Sequence, residues 1–167
     1  MNCSMEFFNA IKALENGKEL TLADRIIFVV SNPLTHVEWK FSERYGNLSC
    51  SATMRDGLDC VRRTHIDYKK HPHRWTRLQI NLSDGAEDRA MRYFERIEGK
   101  PYDKLGVLSL RHLDNRPHLI KPNPDMYWCS EVVGGMYNES CNQNYPPPLR
   151  PDTLTPNDLF FRVFELL

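Results

Sequence analysis

The chain has 167 residues, 41% hydrophobic and 26% charged, and its 22 basic and 22 acidic side chains cancel. That length is one ordinary domain, able to bury roughly two-thirds of the surface of its unfolded form. Zero net charge removes any global attraction to nucleic acid or an anionic membrane, and the longest apolar stretch, residues 26–30, is far too short to span a bilayer. No charged-then-apolar leader precedes it, so a cytoplasmic location without stable membrane insertion is expected. Five cysteines (Cys3, Cys50, Cys60, Cys129 and Cys141) at irregular spacing read as free thiols in a reducing compartment. Neither a Cys-x-x-Cys nor a His-x-x-x-His spacing occurs, so neither metal nor other cofactor is expected, and His71-Pro72-His73 reads as an exposed loop.

Residues 7–16 read as an amphipathic helix, with Phe7, Phe8, Ile11 and Leu14 on one stripe and Gly17 as its stop. The β-branched run in residues 22–30 predicts a buried strand, with Asp24 and Arg25 in a turn at its start. Pro33 breaks the chain before a strand around His36, which ends in a hairpin-like turn over residues 43–47. Residues 48–54 form a return strand, Arg55-Asp56-Gly57 a turn, residues 60–66 a third strand and residues 75–80 another. The clearest helix covers residues 84–98. Ser83 or Asp84 can cap it, Glu87 and Asp88 suit its first turn, Gly99 stops it, and Ala86, Ala90, Met91, Phe94 and Ile97 make its apolar stripe. A short helix or bend follows at residues 102–108, and residues 112–125, with three prolines, read as loop. Residues 129–137 read as a short helix broken or weakened by Gly134-Gly135. Pro146-Pro147-Pro148 and Pro151 suggest an extended crossing; Thr155-Pro156-Asn157-Asp158-Leu159 signals a helix start, and residues 160–167 a closing strand. Mostly strands, with helices at both ends, define an α+β class: an antiparallel sheet packed against helices in one domain over residues 1–167.

Two segments carry chemistry. Thr35-His36-Val37-Glu38-Trp39-Lys40-Phe41 alternates polar and apolar, so it reads as a half-buried strand with His36 and Glu38 on one face. Met126-Tyr127-Trp128-Cys129-Ser130-Glu131 reads as a tight loop delivering a cysteine to the first turn of a helix. A helix N-terminus offers unpaired N–H groups and positive potential, and a nearby imidazolium stabilises a thiolate further. Cys129 thus reads as a nucleophile and His36 as its base, against the common use of cysteine as packing. Glu38 is one candidate to orient the imidazole; Ser49 and Ser51 on the return strand are the others. Tyr102, in Gly99-Lys100-Pro101-Tyr102-Asp103, could donate toward an oxyanion or simply anchor its loop.

Taken together these pieces resemble the NlpC-like branch of the papain superfamily in its circularly permuted form. In unpermuted members a Gly-x-Pro-Tyr segment precedes an Asp-Cys-Ser-Gly helix start, and a His-Val-Gly strand follows. Here Gly99-Lys100-Pro101-Tyr102 precedes Trp128-Cys129-Ser130-Glu131, but His36 comes 93 residues before the cysteine (129 − 36). That order is similar to bacterial YiiX-like proteins, lecithin retinol acyltransferase relatives and small phage-encoded proteins, whose Arg-Asp-Gly turn running to Val-Arg is matched by Arg55-Asp56-Gly57 and Val61-Arg62. The resemblance covers roughly residues 20–160 and implies Cys129 as nucleophile, His36 as base, Glu38 as third member and Tyr102 on the oxyanion side. Trp128-Cys129-Ser130-Glu131 departs from the cell-wall pattern, so substrate choice does not follow from it.

The expected activity is a cysteine-dependent amidase or peptidase working through an acyl-enzyme on a peptide, a peptidoglycan fragment or another acyl substrate. An acyltransferase or thioesterase with the same nucleophile is the alternative, ranked lower for want of a membrane-facing apolar helix. A binding module that keeps the fold with its chemistry idle is the third reading.

Overall fold

Five antiparallel strands make one sheet in the computed structural model of the chain, which describes residues 2–55, 57–109, 123–141 and 149–167. They are β1 (Asn2–Asn9), β2 (Leu34–Lys40), β3 (Ser49–Thr53), β4 (Cys60–Thr64) and β5 (Trp75–Asn81), in the spatial order β4-β3-β2-β1-β5. The helices are α1 (Ala10–Glu15), α2 (Leu22–Val30), α3 (Asp84–Ile97), α4 (Lys104–Ser109), α5 (Cys129–Ser140) and α6 (Pro156–Phe164). The α+β class with an antiparallel sheet is therefore the observed one.

The sheet has two chemically different faces. On one, Met5, Phe7, Val37, Trp39, Ala52 and Val61 pack against Ala90, Met91 and Phe94 of α3, Val132 and Met136 of α5, and Leu159 and Val163 of α6. The stripe expected for α3 is fully buried there, and Ser83 caps that helix by accepting from the Ala86 N–H. The other face carries Ser4, Glu6, Phe8, His36, Glu38, Ser49 and Ser51, all buried. Part of its cover is a second apolar cluster of Phe8, Ala10, Ala13 and Leu20, with Phe28 and Trp75 against it. Tyr68 meets the Trp75 ring edge-on at 4.9 Å between centroids and bonds Ser49 Oγ at 2.8 Å. The strand expected to be half-buried is thus central and buried on both faces.

Several elements differ from the sequence expectation. Residues 2–9 are a strand and only Ala10–Glu15 is helical, because β1 pairs with both β2 and β5, and those ladders outweigh a local helical period. Asn9 caps the short helix and Gly17, at φ 73°, follows its end. Residues 22–30 are a helix, not a strand: Thr21 Oγ1 accepts from the Asp24 N–H at 3.1 Å while Asp24 Oδ2 accepts from the Thr21 N–H at 3.2 Å. Residues 156–164 are helical rather than a closing strand for the same reason, with Thr155 and Asp158 as the box. Helix α5 runs unbroken through Gly134-Gly135, where the absent Cβ atoms admit Pro151 and Tyr93. The turn residue Asp56, nearly all of the predicted loop at 112–125 and the proline run at 146–148 lie outside the described residues.

Gly106 shows how tightly α4 is held against the start of α5. Asp103 Oδ1 accepts the Gly106 N–H at 2.7 Å, and a Cβ on Gly106 would come closer than 3.0 Å to both the Asp103 carboxyl and the Trp128 ring. Trp128 is 1% exposed and has no room to retreat. Gly106→Ala is therefore expected to destabilise the fold by about 1–3 kcal/mol, read as a lower urea midpoint at unchanged slope.

Candidate active site

The backbone groups of Val37 show where the site sits. The β2–β3 ladder is registered only at Trp39–Cys50 and Lys40–Ser49. At Val37 the registered ladder has ended: the Val37 carbonyl accepts from Ser51 Oγ at 2.6 Å, and the Val37 N–H lies near enough to the Cys129 sulfur to pull its pKa down. A buried peptide group that leaves a ladder must find other partners, and the Val37 carbonyl finds the Ser51 hydroxyl. The sulfur therefore sits at an opening in the sheet, beside the residue that follows His36.

Three local features bring Cys129 there. Residues 99–102 extend the edge of β4, through the Val61 N–H on Lys100 O at 2.8 Å and the Tyr102 N–H on Asp59 O at 3.2 Å. Tyr127 then bonds this segment, its N–H on Pro101 O and its carbonyl taking the Asp103 N–H, both at 3.0 Å. Beyond the cysteine, Ser130 Oγ and Trp128 Nε1 both donate to Leu154 O, at 2.6 and 3.3 Å, tying the start of α5 to the segment before α6.

On the polar face His36 and Glu38 project together, as expected two residues apart on a strand. His36 Nε2 lies 2.6 Å from Glu38 Oε1, and Arg62 of β4 grips the same carboxylate with both terminal nitrogens, at 2.8 and 2.5 Å. Burial works to raise the Glu38 pKa, but His36 and Arg62 overcome it and hold the carboxyl at about 2. An ionised carboxylate only accepts, so Nε2 must carry the imidazole proton and Nδ1 is left with the lone pair. Burial, with the charges of Arg55 and then Arg62, lowers the His36 pKa below its ordinary value despite Glu38, so the ring is neutral near pH 7. Ser49 and Ser51, the other candidates to orient His36, bond Tyr68 and the Val37 carbonyl instead.

Around the sulfur, Tyr102 is buried; burial, and then the neighbouring Cys129, raise its phenol well above its ordinary pKa, keeping it a donor. Burial pushes the Cys129 thiol up to about 11, while the N–H groups of Val37 and Ser130 and the charge of Arg55 pull the other way. The resting pair is a neutral thiol and a neutral imidazole rather than the thiolate expected from a helix N-terminus. Desolvation outweighs the helix end because Cys129 is only 1% exposed. Two residues on, burial raises Glu131 to about 8. Beside the site a cavity of about 360 Å³ is lined by Asp59, Pro101, Tyr102, Asp103, Lys104, Leu105, Asn123 and Met126.

The sequence singled out Cys129, His36, Glu38 and Tyr102. The structure joins His36 to Glu38, and places Tyr102 and the Val37 N–H near enough to Cys129 to act on its titration. Arg62 as the holder of Glu38, and Arg55 with Asp24 beside His36, were not assigned roles from the sequence, since only strand register brings them in. All five cysteines are free thiols, and no group of three or more metal-ligating side chains occurs among the described residues. Comparison with family models, curated proteins and solved structures gave no match.

Two outcomes follow from the Arg62–Glu38–His36 chain. Glu38 in the fold titrates near 2 against an ordinary 4.5, so the unfolded chain binds more protons as the pH falls through that window, and stability drops there. Its share is roughly 3 kcal/mol, and Glu38→Gln should remove that part of the acid dependence in thermal midpoints measured from pH 5 to 2. Arg62→Ala, which strands a buried carboxylate, should cost about 3–5 kcal/mol at pH 7 by chemical denaturation.

Proposed function

We propose that the protein is a cysteine hydrolase that cleaves an amide through a covalent acyl-enzyme, on a circularly permuted papain-like fold of the NlpC kind. The observation that carries this reading is the buried, ionised Glu38 on His36 Nε2, which leaves a basic nitrogen on a ring next to Val37, whose N–H acts on the Cys129 sulfur. A structural histidine does not need its tautomer held by a carboxylate that is itself clamped by an arginine.

The reaction runs in two halves. As Sγ of Cys129 bonds to the substrate carbonyl carbon, His36 Nδ1 takes the thiol proton; the neutral resting pair makes this a general-base step rather than attack by a stored thiolate. The carbonyl oxygen gains the charge, and the Tyr102 hydroxyl is the side-chain donor beside it. The imidazolium, stabilised by Glu38, then gives its Nδ1 proton to the leaving nitrogen as the C–N bond breaks. In the second half His36 takes a proton from water, whose oxygen attacks the thioester carbon, and returns it to sulfur as the C–S bond breaks. The free acid leaves and the starting state is restored.

Mass spectrometry on protein incubated with activated esters and a peptide-amide library tests this. One acyl group is expected on Cys129, absent from Cys129→Ala, with its formation about 10²–10⁴-fold slower in His36→Ala. Release by water alone supports hydrolysis, and release only on adding an amine or alcohol makes the protein a transferase. Adducts spread over Cys60 and Cys141 at equal rates would defeat the nucleophile assignment.

A further inference from the structure

We propose that Arg55 recognises an anionic group of the substrate, so that the amide attacked by Cys129 carries a carboxylate close to its scissile bond; this rests on the cysteine-hydrolase reading. Arg55 lies just beyond β3, and its guanidinium is held between Phe8 and Asp24. Its Cζ stands 4.6 Å from the centre of the Phe8 ring, and Phe8 is the residue directly opposite His36 across the β1–β2 pair, hence on the same face. It also ion-pairs with Asp24 Oδ1, which lies 3.4 Å from the hydroxyl of Thr35, the residue before His36.

The two arginines of the site are used differently. Arg62 spends both terminal nitrogens on the two oxygens of Glu38. Arg55 spends one terminal nitrogen on Asp24, and this is its side chain's one hydrogen bond among the described residues. A guanidinium has five N–H donors in a planar fork that fits a carboxylate. Asp24 meanwhile takes bonds from the Thr21 N–H, the Thr21 hydroxyl and the Thr35 hydroxyl, so Arg55 is not its sole partner. The Arg55 side chain keeps 17% of its surface exposed where Asp24 keeps 1%, so the buried carboxylate tethers a cation that is not itself fully enclosed. Its charge lowers the pKa of Cys129, Tyr102 and His36 alike, in keeping with its seat on Phe8 opposite His36. With the whole chain neutral, an acidic substrate finds no long-range attraction and the selection has to be local.

Alkylation by a matched pair of reagents tests this on the full chain. Iodoacetate and iodoacetamide attack the same sulfur and differ in one charge, so the ratio of their rates at Cys129, read by mass spectrometry, is independent of how much thiolate is present. Wild type is expected to favour iodoacetate at Cys129 about tenfold more than N-acetylcysteine does. Arg55→Gln should return the ratio to that of N-acetylcysteine, and Arg55→Lys should keep most of it. Because Arg55→Gln leaves Asp24 buried without its cation, Asp24→Asn with Arg55→Gln provides the same readout with the pair removed together. A ratio equal to that of N-acetylcysteine, with Cys129 still acylated by activated esters, would overturn the role of Arg55 and leave the nucleophile standing. Absence of any acyl group on Cys129 after incubation with activated esters would overturn the nucleophile and this proposal with it.

Discussion

A carboxylate kept ionised inside a protein is the constraint on which this site depends. Glu38 is 1% exposed on the middle strand of the sheet, where an unpaired charge would be costly. It remains ionised because Arg62 forks onto it from β4 and His36 donates to it from two residues away. The same bonds that make the charge tolerable decide which nitrogen of His36 holds the proton. Stability and chemistry are set by one interaction, and a neutral isostere such as glutamine would retain the shape but not that decision.

The second ingredient is the opening in the β2–β3 ladder. Strand alternation puts His36 on the polar face and α5 on the apolar one, so a continuous sheet would keep imidazole and sulfur apart. The register stops at Trp39, the Val37 carbonyl turns to Ser51, and the Val37 N–H lies near Cys129. A cysteine from the helix side can thereby sit level with the strand that carries the histidine. The cost of this arrangement is desolvation, which keeps a sulfur so enclosed protonated at rest.

Much of the fold was legible in the sequence, with instructive exceptions. Strands β2 to β5 and helix α3 follow from alternation, turn residues and an apolar stripe, all local signals. Residues 7–16 misled because Phe7 and Phe8 fit a helical stripe, while ladders to residues 34–40 and 75–81 make them strand. Residues 22–30 misled because β-branched residues outweighed the Thr21–Asp24 capping box, a helix signal present in the sequence and passed over. In α5 the paired glycines read as a break, yet they mark close approach by Tyr93 and Pro151. For the site, the spacing of His36 and Glu38 was enough to put them on one face. Arg62 and Arg55 were not legible as site residues, since nothing local pairs residue 62 with 38 or stacks residue 55 on 8.

The most direct test is nitrogen NMR of the His36 ring before and after capping Cys129 as a methyl disulfide. With Glu38 holding the ring, Nε2 gives a protonated-nitrogen resonance and Nδ1 that of a bare lone pair at neutral pH, and capping the sulfur moves the Nδ1 signal while leaving Nε2 nearly in place. A ring protonated at Nδ1, or an Nδ1 resonance indifferent to the sulfur, would contradict the arrangement on which the catalytic reading stands.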